Sequence, residues 1–217
     1  MRDPATLLDP PDLRLPPHGP GRGGGRGGNG GGDSERHKRG DSSTMVFGVW
    51  LALVPILVLF LTLAVAYLLR QRGPSSTLAT PLPRLLWFNT VLLLGSSLVL
   101  ERGRAVLRQQ GDPQRWTMVS FVMGSLFVLG QAVAWVLWWQ RGMRPETTVH
   151  SAFFYILTGT HAVHVLGGLL FLGSAAFWPH RRLLGMGPAL FARLTAIYWH
   201  FLAVLWIGLL LILELAT

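Results

Sequence analysis

Five long stretches of this chain contain no Lys, Arg, Asp or Glu: Thr44–Leu69, Leu85–Leu100, Trp116–Gln140, Thr147–Pro179 and Leu194–Leu213. A membrane-spanning helix needs roughly 20 apolar residues, with a range of about 17–25. Four of the runs meet that length, and the second, slightly short, must carry Arg84 or Glu101 in its interfacial turns. Backbone groups in a bilayer have no water to bond, so only helices and closed barrels can span it, and a barrel would show alternating segments of about ten residues. The pattern predicts an all-α polytopic membrane protein, with five transmembrane helices in a bundle over residues 44–217. A content of 50% hydrophobic and 13% charged residues is likewise too apolar for an ordinary soluble domain.

Residues 1–43 differ in kind. Their centre reads "GPGRGGGRGGNGGG", and so little apolar surface cannot offset the entropy of ordering, which predicts a disordered N-terminal arm rich in Pro, Gly and Arg. The arm lacks the interleaved aromatics on which nucleic-acid bases stack, so no nucleic-acid partner is expected. The cluster "ERHKRG" before the first span suits anionic headgroups instead. The first apolar run is longer than the apolar core of a signal peptide and is expected to stay in the mature protein.

The net charge of +9 follows membrane topology. With the N-terminus inside, the inner segments hold Arg36, Lys38, Arg39, Arg102, Arg104, Arg108, Arg115, Arg181, Arg182 and Arg193, and the outer ones hold only Arg70, Arg72, Arg84, Arg141 and Arg144. That excess predicts a cytoplasmic N-terminus and an outward C-terminus in a multi-pass inner-membrane protein.

The linkers "RQRGPSSTLATPLPR", "RQQGDPQR", "RGMRPE" and "HRRLLGMGPALFAR" leave no room for a soluble catalytic domain. The polar residues within the spans therefore carry whatever chemistry exists. The ones that stand out are Asn89, Thr90, Ser96 and Ser97 in the second helix, Gln131 in the third, His161 and His164 in the fourth, and Tyr198, Trp199 and His200 in the fifth. No carboxylate lies mid-span, and no internal repeat is evident, which weighs against ion-coupled transport. With no cysteine, thiolate metal sites are excluded.

His161 and His164 are about 60° apart around a helix and share a face with Leu157 and Gly168. Packing and interhelical hydrogen bonding is the reading these residues favour, with metal or haem ligation and proton transfer as the alternatives. A ligand set would need His200 as a third member, yet that residue belongs to the inner part of the last helix. Glu101 reads as an interfacial ion pair with Arg102 or Arg104. No catalytic, cofactor or metal residue is assigned. The residues expected to pack helices or touch lipid and partner chains are Asn89, Glu101, Gln131, His161, His164, Gly168, Trp199, His200 and Phe201.

Four stretches, "LWFNTVLLLGSSLVLERGRAVLRQQG", "LGQAVAW", "LTGTHAVHVLGG" and "YWHFLAVLW", resemble, in order and spacing, subunit III of the haem-copper terminal oxidases, the cytochrome c oxidase subunit III family. The resemblance covers the membrane part and is to the five-helix form. It implies an accessory, cofactor-free subunit that packs against oxidase subunit I, alongside subunit II, and binds phospholipids, with haem and copper held by the partner subunits. The chain also departs from that pattern: it has Ile56 beside Pro55, Ala134 and Ala203 where the family usually carries acids. Roles of those acids do not transfer to it, which marks a divergent member. The competing reading is a stand-alone membrane haem or metal protein using His161, His164 and His200.

Overall fold

The computed structural model describes residues 30–71, 84–178 and 186–215. They form five helices: α1 Gly30–Gln71, α2 Leu85–Arg108, α3 Gln114–Gln140, α4 Val149–Phe177 and α5 Pro188–Leu215. The chain divides into two units, Met1–Lys38 and Arg39–Thr217, and all five membrane-length spans lie in the second, the first of them Ser43–Arg70.

The expected boundary between arm and bundle at residues 43 and 44 is not where the first helix starts, since α1 is already helical at Gly30. Elongation of an existing helix costs far less than nucleation, and Glu35, Arg36, Lys38 and Arg39 are good helix formers, so the apolar span propagates backwards into the charged cluster. Residues 1–29 of the expected arm lie outside the described residues.

Local chemistry sets the ends of the ring helices. Thr148, extended at φ −144° and ψ 155°, caps α4 by accepting from the Ser151 N–H at 3.0 Å. After α3 the chain turns at Gly142, whose φ of +80° suits a residue without Cβ. There Gly142 N–H donates to the Trp139 carbonyl and Met143 N–H to the Trp138 carbonyl, the paired bonds of a Schellman motif.

Helices α2 to α5 close into a ring: α2 packs on α3, α3 on α4, α4 on α5, and α5 returns to α2. Neighbours run antiparallel, as the contacts of Ser96 with Trp199 and of Thr90 with Trp206 demonstrate for α2 and α5. Inside the ring sit Phe127, Trp138, Phe154, Leu157, Trp199 and Trp206, all fully or almost fully buried.

α1 stands outside that ring. Among the described residues, no Cα of α1 lies within 8 Å of a Cα of another helix. Large side chains bridge the gap to α4. Phe60 meets the rings of His161 and His164 at 6.3 and 5.6 Å, and Tyr67 meets Phe153 at 5.4 Å and hydrogen-bonds His150. The opposite side of α1, with Leu51, Val54, Val58, Leu61 and Val65, is exposed and apolar, as a bilayer-facing surface is.

Candidate functional site

Three polar layers cross the ring. The first, at the end of the bundle where α2 finishes and α5 begins, is built on Glu101. Its carboxylate accepts from Arg104 at 2.5 Å, lies 3.8 Å from Arg108, and meets His200 Nε2 at 3.4 Å. With Nε2 donating to Glu101, a neutral imidazole leaves Nδ1 to accept from the Ser97 hydroxyl, which is its other partner. The expected ion pair is thus a four-residue cluster that ties α2 to α5, and Arg104, one helical turn on, supplies it rather than Arg102.

The second layer centres on Trp199, which is completely buried. Its indole Nε1 donates to Ser96 Oγ at 2.9 Å, Ser96 Oγ donates on to the Leu93 carbonyl at 2.7 Å, and Ser120 Oγ donates to the Ser96 carbonyl at 3.0 Å. The ring needs glycines to lie flat against. A Cβ added at Gly124 would come within 2.6 Å of Trp199, and one at Gly168 within 3.0 Å. Phe201, two residues on, is only partly buried and packs against the core from outside.

The third layer holds His161, which is buried and stacked on Trp206 at 5.1 Å, with Phe127 edge-on at 6.0 Å. Trp206 Nε1 donates to Thr90 Oγ1 at 3.0 Å. Asn89 and Gln131 are buried on α2 and α3, and the Asn89 amide lies against Gly130, the neighbour of Gln131. Among the described residues, no protein group bonds the side-chain nitrogens and oxygens of Asn89, Gln131 and His161. Ala134 and Ala203, two of the positions where the resemblance leads one to expect an acid, are buried in the same core.

The two histidines of the LTGTHAVHVLGG stretch thus have different surroundings. His161 faces the ring interior, whereas His164 faces α1, with its Nδ1 donating to the Thr160 carbonyl at 2.8 Å. His200 is turned to Glu101, and its position lies six residues, or about 9 Å along α5, from that of Trp206, which stacks on His161. The three do not converge, and the described residues contain no group of three or more His, Cys, Asp or Glu able to hold a metal ion.

Sequence reasoning missed the part played by Trp206, Thr90 and Ser96. The available signal was the spacing of seven between Trp199 and Trp206, which keeps both on one face of α5, matched by hydroxyls at Ser96 and Thr90 on α2.

Five membrane-length helices joined through buried polar side chains define an all-α polytopic membrane protein. The profile of the family described as Cytochrome c oxidase subunit III matches residues 34–215. The Cytochrome c oxidase subunit 3 of Synechocystis sp. is 32% identical over 189 residues, covering 81% of this chain and 77% of that protein. The subunit 3 of Corynebacterium diphtheriae is 33% identical over 130 residues, or 55% of this chain and 60% of the relative, and that of Thermostichus vulcanus is 31% identical over 139 residues, or 59% and 64%. This chain belongs to the cytochrome c oxidase subunit III family.

Proposed function

We propose that this accessory subunit of an aerobic respiratory oxidase works by packing helices and lipid against subunit I, with subunit II as a further partner, and that haem and copper reside in those partners. The observation that carries the reading is the engagement of three histidines in contacts between helices: His161 on Trp206, His164 on Phe60, and His200 between Ser97 and Glu101. Each contact fixes an element in place, and none leads to an open position for a substrate. Asn89, Gln131, Gly168 and Trp199 serve helix packing on this reading, while Phe201 and the outer face of α1 meet lipid or the partner subunit. The excess of Lys and Arg on the inner segments supports a cytoplasmic N-terminus, an outward C-terminus and residence in the cell membrane.

Deletion of the chain tests this. Haem and copper content of the assembled subunit I is expected to stay near normal, while assembly yield falls or oxygen consumption decays over repeated turnover. A complex that lacks a haem from the outset, or one whose initial and sustained rates are both unchanged, contradicts the accessory mechanism.

A further inference from the structure

The side-chain nitrogens and oxygens of Asn89, Gln131 and His161, six atoms in all, have no protein partner among the described residues. The three residues are 0%, 1% and 0% exposed and stand on the inner faces of α2, α3 and α4. A closed circuit of contacts puts them at one height. His161 stacks on Trp206, whose Nε1 donates to Thr90, the neighbour of Asn89; the Asn89 amide lies against Gly130, the neighbour of Gln131; and Phe127, one turn from Gln131, meets His161 edge-on.

The bilayer makes this layer costly as it stands. Outside the bundle at this depth there is only hydrocarbon, so a polar atom that the protein leaves unpaired has no solvent to turn to. The chemistry of the layer is neutral and mixed: two amides and an imidazole offer both donors and acceptors, and among the described residues none of the buried polar side chains is an Asp, Glu, Lys or Arg. A bound ion would require a compensating charge, whereas water donates and accepts and needs none. One turn to either side the inner faces carry Leu86 and Leu93, Phe127 and Ala134, and Leu157 and Val165, all buried. The polar layer is thus flanked by apolar ones along the ring axis.

We infer that Asn89, Gln131 and His161 form a binding site for enclosed water in the middle of the ring. A buried water makes about three hydrogen bonds, so six atoms call for about two molecules. This water joins α2, α3 and α4, three helices whose polar side chains share the interior at this height without bonding one another. The apolar turns above and below make it a fixed part of the structure and not a stretch of a conducting path. The site stands independently of the accessory role, since it concerns how the ring is held and not what the ring serves.

The test uses the full chain in its oxidase complex. X-ray radiolysis turns a bound water into a hydroxyl radical where it sits, the radical oxidises the nearest aromatic ring, and mass spectrometry reads the product. Trp206 and Trp199 form an internal comparison, because both are buried indoles of α5 whose Nε1 donates to a hydroxyl of α2, and only Trp206 adjoins the site. Trp206 is expected to be oxidised several-fold faster. Combining Asn89→Leu with Gln131→Leu removes four of the six atoms and should bring Trp206 down to the rate of Trp199. Leucine releases the water, and the freedom that the water regains offsets the bonds it leaves, so either single change is tolerated and labelling, not stability, is the readout. Independently of any variant, a cryo-EM map of the native complex that shows ordered water should carry density within hydrogen-bond distance of at least two of the three side chains. Equal oxidation of the two tryptophans in the native complex, undiminished oxidation of Trp206 in the double variant, or a map in which the amides and the imidazole bond one another directly with no density between them overturns the assignment. Oxygen consumption is followed in the same samples, so failure of the water site and failure of the accessory role give different results.

Discussion

The indole of Trp199 donates to Ser96 Oγ at 2.9 Å, so that one side chain of α5 bonds α2 while its ring lies on glycines of α3 and α4. A residue that touches all three other members of the ring holds its relative rotation as well as its closure. Ser96→Ala is expected to destabilise the bundle by about 1–3 kcal/mol, because the buried Nε1 donor is left without a partner. In a Trp199→Phe background the same change should cost much less, since the donor is gone. Thermal unfolding of the four combinations in detergent checks this, and strictly additive effects would mean the bond contributes nothing.

Gly168 and His164 make a contrasting pair. Leucine at 168 must displace Trp199 and Leu202, which already lie 3.0 and 3.2 Å from where its Cβ would be. His164 loses an intrahelical bond and an edge contact with Phe60, both at the margin of the ring. Gly168→Leu is therefore expected to abolish assembly with the oxidase, and His164→Ala to reduce it only slightly. The yield of co-purified subunits gives the comparison, and similar yields would remove the close-packing account of Gly168.

The buried amides offer a test with the opposite sign. Among the described residues, Gln131 has no protein partner for either polar atom, and exchanging a buried polar group unsatisfied by protein for an apolar one of similar shape is neutral or stabilising. Gln131→Leu should keep or raise the unfolding temperature, whereas His161→Ala should lower it by opening a hole beside Trp206. A loss of more than about 1 kcal/mol in Gln131→Leu would show that the amide is engaged.

Orientation has a direct readout. Reporter fusions before Asp41 and after Leu215 should give opposite signals, the first cytoplasmic. Identical signals at both ends would mean an even number of crossings.

Number and order of the helices were readable in the sequence because a bilayer forbids charge in its core, so gaps between Lys, Arg, Asp and Glu mark the spans almost directly. The match of α2 to Leu85–Arg108 illustrates the limit, since Glu101, Arg102 and Arg104 extend that helix beyond its apolar run by pairing and snorkelling at its end. The site was less legible. Angular spacing put His161 and His164 on one face, but that face spans the border between the ring and α1, and helical periodicity holds no information on where a fifth helix docks. The cluster of Glu101 with His200 crosses 99 residues and depends on α5 returning to α2, a closure visible only in three dimensions.

Thr90 and Ser96 also bear on how the protein is made. Each hydroxyl already donates to a carbonyl of its own helix, Leu86 and Leu93, and accepts from a tryptophan of α5. Since α5 is translated after α2, α2 must wait in the membrane before Trp199 and Trp206 exist, and during that interval its hydroxyl protons are satisfied without them. Insertion and closure are thereby separated for these two hydroxyls: α2 can enter the bilayer with both already bonded, and their links across the ring form only once α5 has followed it.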